Sequence, residues 1–86
     1  MGKRIGVIGI IIEEFDKATF VNDILHEFGN LIVGRIGVPY KDRGIFVISI
    51  IVDGTMDEIS AMTGKIGKIS GVNVKSAINR TRGGVV

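Results

Sequence analysis

The chain has no cysteine, no tryptophan, one histidine and one proline. Without cysteine there is no disulfide and no thiol chemistry, which fits a reducing, cytoplasmic location. With His26 as the only histidine, a Cys/His metal cluster cannot form within one chain. A nucleophilic triad would need His26 too, and no Ser or Thr is joined to it by a known motif. No catalytic residue, metal or cofactor is therefore expected. Long apolar runs are also missing. The longest, Ile5 to Ile12 and Ile45 to Val52, fall far short of the roughly 20 residues that span a bilayer. The start, Met1-Gly2-Lys3-Arg4, is basic, but Glu13-Glu14 follow the apolar run where a cleavage site would need small residues, so no signal peptide is expected.

Charge of one sign is scarce as well. The net charge is +2, and its carriers, among them Lys3, Arg4, Arg35, Lys41, Arg43, Lys65, Lys68, Lys75, Arg80 and Arg82, are spread along the chain. Nucleic-acid binders concentrate basic residues on one face, so solvated surface charge is the simpler reading. An RNA-binding sheet also needs aromatics on its central strands, and only Phe46 is there.

What the chain does have is hydrophobicity. Apolar residues make up 45% of its 86 positions, too many for a disordered chain. A chain this short forms one small domain of marginal stability, for which oligomerisation is a usual remedy. Residues 1–79 are expected to form that domain, and 80–86 a flexible tail.

The stretch from Gly29 to Asp53 reads as two strands around the polar break Lys41-Asp42-Arg43-Gly44, an antiparallel hairpin. Its second run, Ile45 to Val52, is apolar at both parities apart from Ser49, so both faces need cover; the strand is expected to extend to Asp53. Lys3 to Ile12 is a similar buried strand with Gly6 and Gly9 inside it. Asp16 is a plausible N-cap for a helix whose stripe is Phe20, Val21, Ile24, Leu25 and Phe28. Gly29 stands where a left-handed C-cap belongs. Leu31 to Tyr40 carries Pro39 and so belongs at a sheet edge. Thr55 and Glu58 form a capping box before the stripe Ile59, Met62, Ile66 and Ile69. Gly64 and Gly67 within that helix each cost about 1 kcal/mol relative to Ala. Ser70-Gly71 end it, and Val72 to Ile78 alternates as a half-covered edge strand.

The order βαββαβ, built from two right-handed strand–helix–strand halves, gives an α+β, ferredoxin-like fold. Its antiparallel sheet has the spatial order 4-1-3-2, with both helices on one face. Ile8, Ile10, Ile12, Phe46, Ile48, Ile50 and Val52 are assigned to the covered face. The opposite face then carries Ile5, Val7, Gly9, Ile11, Ile45, Val47, Ser49 and Ile51, extended by Leu31, Val33, Arg35, Gly37 and Pro39. Such an apolar patch exceeds what a soluble monomer leaves wet. A homodimer or homotetramer packed sheet on sheet through Ile5, Val7, Gly9, Ile11, Val33, Ile45, Val47, Ser49 and Ile51 is expected.

Polar clusters are few. Glu13-Glu14-Asp16 could hold a hard cation, but acids gather at helix starts for dipole reasons. Tyr40, Lys41 and Arg43 at the hairpin could meet an anion.

The run HEFGNLIVGRIGVPYKDRGIFVISIIVDG, with the later SGVNVK, resembles the stand-alone regulators of the iron-only hydrogenase system, which have an ACT-like fold. The resemblance extends from Lys3 to Ile78 and is most specific over Val33 to Ile45. It implies a regulatory or ligand-sensing role rather than catalysis, with a small molecule or a protein as partner. The same run is more distantly similar to the C-terminal domain of nickel-responsive repressors. Their nickel-ligand positions fall here on His26, Gly37, Pro39 and Ile45, and only the first can ligate through a side chain. Amino-acid-binding ACT domains use a Gly-bearing loop after the first strand, where this chain has Glu13-Glu14-Phe15-Asp16.

The expected function is thus a non-enzymatic ACT-like regulatory module, with His26, Arg35 and Tyr40 as candidate ligand-binding residues. Two alternatives remain open. One is a nucleic-acid-binding regulator using the scattered Lys and Arg and the Arg80/Arg82 tail. The other is a small acylphosphatase-like enzyme, which would need an Arg-bearing anion loop after the first strand.

Overall fold

A computed structural model describes residues 2–79. The expected tail, 80–86, with Arg80 and Arg82, lies outside the described residues. Strand β1 (Arg4–Ile12) leads through a 3-10 turn (Phe15–Lys17) into helix α1 (Ala18–Glu27). A second 3-10 turn (Gly29–Leu31) delivers strand β2 (Ile32–Tyr40), and a third (Lys41–Arg43) joins it to β3 (Ile45–Gly54). Helix α2 (Met56–Gly67) and strand β4 (Val72–Ile78) complete the fold. The 4-stranded antiparallel sheet has the order β2-β3-β1-β4, a ferredoxin-like arrangement.

The most apolar strands, β1 and β3, lie at the centre because their residues tolerate cover on both sides. They pair without a slip from Arg4 opposite Gly54 to Ile12 opposite Phe46. The even-numbered residues of both strands face the helices. Ile8, Ile10, Ile12, Ile48, Ile50 and Val52 are fully buried against Val21 and Leu25 of α1 and Ile59, Met62 and Ile66 of α2. No polar or charged side chain is buried among the described residues, so apolar burial alone holds this layer together.

Local devices set the boundaries. The capping box of α2 is present: the Glu58 amide donates to Thr55 Oγ1 at 3.2 Å, and the Thr55 amide donates to Glu58 Oε1 at 2.9 Å. Those bonds hold the Glu58 carboxyl below its ordinary value of 4.5, the backbone bond from Thr55 being the largest cause. Gly44, at φ 67°, closes the hairpin in the left-handed region. Gly54 is a packing requirement: a Cβ there would lie 2.9 Å from Leu31 Cδ2 and 3.1 Å from Glu58 Oε1.

Two expectations about α1 are corrected. Asp16 is not its N-cap. The helix follows the 3-10 turn, in which the Lys17 amide donates to Glu14 O and the Ala18 amide to Phe15 O. Those amides are already satisfied, and no side chain caps the helix. Gly29 is not a left-handed C-cap either, because its φ is not positive. Helix α1 ends at Phe28 and passes directly into the second 3-10 turn, where the Leu31 amide donates to Phe28 O at 2.9 Å.

The third correction concerns β2. Its ladder to β3 shifts between Ile32, opposite Val52, and Gly34, opposite Ile51. Val33 is the extra residue of a β-bulge. Past it, Gly34, Ile36, Val38 and Tyr40 share the side of Ile51, Ser49, Val47 and Ile45, whereas Arg35, Gly37 and Pro39 fall on the helix side. Leu31 lies in the 3-10 turn and is buried. The odd-numbered set expected to extend the outer face is therefore replaced by Ile36, Val38 and Tyr40, and Val33 belongs to neither ladder row.

Candidate functional site

The outer face follows from the three registers. From one edge to the other, its rows run Val38–Val47–Ile11–Asn73, Ile36–Ser49–Gly9–Lys75, and Gly34–Ile51–Val7–Ala77. The apolar part covers β2, β3 and β1, and the polar residues gather on β4. Ile5, Val7, Ile11, Ile36, Val38, Tyr40 and Ile51 are 43% to 68% exposed. The middle row dips at Ser49 and Gly9, between larger residues on either side. Together these residues leave an apolar area of several hundred Å², at or above the largest patch of a typical monomer. Of the expected interface residues, Ile5, Val7, Gly9, Ile11, Ile45, Val47, Ser49 and Ile51 lie on this face. Val33, 68% exposed at the bulge, is set apart from them.

The three candidate ligand residues do not converge. Arg35 lies on the helix side of β2, where its Nη2 donates to Asn22 Oδ1 of α1 at 2.7 Å. His26, exposed in the last turn of α1, lies one turn beyond Asn22 on the same side of the helix. Tyr40 stands on the other face of the sheet, opposite Ile45. Asn22 and Arg35 thus form a small polar edge over β2, with His26 one helical turn along from Asn22, and Tyr40 is excluded from it by parity. Asn22 was not foreseen, because its contact joins elements 13 positions apart.

The acidic loop after β1 is structural. Glu13 Oε2 accepts from Asn73 Nδ2 at 3.1 Å, and the Glu13 amide donates to Gly71 O at 2.7 Å. These bonds tie the end of β1 to the start of β4. Among the described residues, no group of three or more His, Asp or Glu is placed to hold a metal ion, and no helix is long and apolar enough to cross a membrane.

A cleft of about 450 Å³ runs between α2 and β4. Ser60, Thr63, Gly64 and Gly67 line its helix wall, and Val72 to Ser76 line its strand wall. Lys75 is the only charged residue among them.

Fold and site together define a small ferredoxin-like domain with one bare sheet face. Residues 4–76 match the TM1266-like family, described as "Iron-only hydrogenase system regulator, putative", and the chain belongs to that family. The uncharacterized protein TM1266 from Thermotoga maritima is 35% identical and superposes with a TM-score of 0.85, over 91% of this chain and 99% of that one. CPII, a nitrogen regulatory PII-like protein from Thiomonas intermedia K12, shares the fold at 18% identity. Its TM-score is 0.53, over 91% of this chain and 92% of that one. No curated protein matches the chain.

Proposed function

We propose that the chain is a non-enzymatic, ACT-like sensing module that acts as a homo-oligomer and takes a small-molecule ligand or a protein partner. The observation that carries this reading is the bare outer face. A standard interface takes about 800 Å² from each partner, and the exposed apolar area on β2, β3 and β1 is of that order. At about 25 cal/mol per Å², burying it contributes on the order of 10–20 kcal/mol per partner before the costs of association are subtracted, which is as much as the whole stability of a small domain. The dip at Ser49 and Gly9 lets the facing sheet approach closely. Membership of a family described as a regulator supports a regulatory role.

The polar edge of Asn22 and Arg35, with His26 one turn along, is the proposed ligand contact, with Tyr40 at the hairpin end of the oligomer face. The CPII structure is described as bound to ADP, AMP and bicarbonate, which makes these the first probes. Two measurements test the reading. Sedimentation at micromolar concentration gives more than one copy, and Ser49→Arg on the outer face lowers the mass; a wild-type monomer refutes the oligomer. Calorimetry and native mass spectrometry with ADP, AMP, bicarbonate and divalent metals give binding that Arg35→Ala weakens; no binding to any of them refutes the sensing role.

A further inference from the structure

The bulge at Val33 re-aims one cation. Strand residues alternate between faces, and an extra residue reverses the alternation beyond it. Without Val33, Arg35 would stand on the outer, apolar face. With it, Arg35 turns to the helix side, and its Nη2 donates to Asn22 Oδ1 at 2.7 Å. Asn22 is neutral, so this bond aligns the guanidinium without compensating its charge. Among the described residues, the one ion pair joins Lys65 to Glu27, and no acid pairs with Arg35. The other N–H groups of the fork remain donors, as does the Asn22 side-chain amide.

Two residues further along β2, on the same side, Gly37 makes room for a ring. Its φ is not positive, so the backbone does not require glycine there. A Cβ on it would lie 3.3 Å from Phe46 Cε1 and 3.7 Å from Phe46 Cζ. The Phe46 side chain, which starts opposite Pro39, therefore leans along β2 toward Arg35. Phe15, in the turn before α1, packs against it with ring centroids 5.6 Å apart. Phe46 is half-buried, whereas Phe15 is 47% exposed. A charged fork and an aromatic pair thus share one side of the sheet. Gly37 and Arg35 are about 7 Å apart along the strand, which is the reach of a benzene ring carrying one acidic group.

We infer that this strip, with Arg35 and Asn22 at one end and Phe46 and Phe15 at the other, binds an aromatic acid. The carboxylate or phosphate of the ligand takes the guanidinium, and its ring lies against Phe15. The inference rests on the ligand contact proposed above and narrows its chemistry. The Arg fork matches two oxygens of a carboxylate or phosphate and sheds its water readily. A single exposed ionic contact holds little by itself. The ring contact beside it adds apolar burial and a preferred geometry. A neutral ring forfeits the first contact and an inorganic anion the second, so the strip selects molecules that carry both.

Calorimetry and amide chemical-shift mapping of the full chain test the inference, with phenyl phosphate, benzoate, inorganic phosphate and phenol as probes. The better of the two aromatic acids, which shows whether phosphate or carboxylate is preferred, is expected to bind roughly tenfold more tightly than inorganic phosphate, the scale of one ring contact. It shifts the amides around Asn22, Arg35 and Phe15, and phenol does not. Arg35→Gln removes the charge and weakens that acid roughly tenfold or more. Phe15→Leu keeps apolar cover on Phe46 without the ring, and brings the acid down to the level of inorganic phosphate. Melting temperatures close to the wild type show that both variants are folded. Inorganic phosphate or phenol binding as tightly as the aromatic acids overturns the inference. So does an affinity that survives either substitution. If both aromatic acids fail while ADP, AMP or bicarbonate binds elsewhere on the chain, the inference falls and the sensing role stands. If none of these binds, both fall.

Discussion

The two faces of the β1–β3 pair are nearly equal in composition and opposite in fate. Ile8, Ile10, Ile48 and Ile50 are wholly shielded, whereas Val7, Ile11 and Ile51, one residue along, are 43% to 47% exposed. Strand pairing treats both sets alike. The helix layer makes the difference, and with two helices it reaches only one side. Hydrophobicity in a strand therefore marks a demand for cover, and the topology decides whether the chain itself meets it.

The largest effect should come from the shielded face. Ile10→Ala or Ile48→Ala leaves a cavity among residues that cannot collapse into it, costing about 2–5 kcal/mol in urea unfolding. Val7→Ala, read at concentrations that keep chains single, stays within about 0.5 kcal/mol. Equal losses on both faces would end the distinction. Gly54→Ala comes next. It forces a methyl against Leu31 at the seam between β3 and the turn before β2, and overpacking of this kind costs about 1–3 kcal/mol. Thr55→Ala removes the cap of α2 for about 1 kcal/mol.

The same cap sets an acid dependence. The Glu58 carboxyl is held below 4.5 in the folded chain, so its contribution is fully present above pH 4.5. It is lost as pH falls through the lower folded value. Glu58→Gln, which removes the titrating carboxyl, should flatten that acid limb of the stability curve, whereas Thr55→Ala keeps the backbone bond and should leave most of it; unfolding midpoints at pH 3 and pH 6 would measure it. The smallest effect belongs to the surface pair of Lys65 Nζ and Glu27 Oε2, 2.8 Å apart between α2 and α1. Both side chains are about half exposed, so Lys65→Met should cost no more than about 1 kcal/mol, less in salt.

Most of the architecture was legible because β1 and β3 keep strict parity and pair without a slip, and because Thr55 and Glu58 mark the start of α2 unambiguously. The helix ends were misread at Asp16 and Gly29, where 3-10 turns use the terminal backbone groups that caps would otherwise satisfy. The outer edge of the face was misread because one extra residue at Val33 reverses every later side chain of β2. The clue lay in the alternation itself: Ile36, Val38 and Tyr40 are apolar, and Arg35, Gly37 and Pro39 between them are not suited to an apolar face. The Asn22–Arg35 bond was not legible at all, since it arises only once α1 docks across β2.

The irregularity at Val33 also settles how the hairpin is threaded. A core made only of aliphatic side chains does not distinguish one alignment from another displaced by two residues, since each side chain would return to the same side of the sheet. A single offset behaves like a notch in a key: β2 seats where its step meets Val52 and Ile51, and the neighbouring alignments leave that step against an unbroken strand. With the turn at residues 41–44 fixing one end, the step at Val33 gives β2 a second point of alignment at the other.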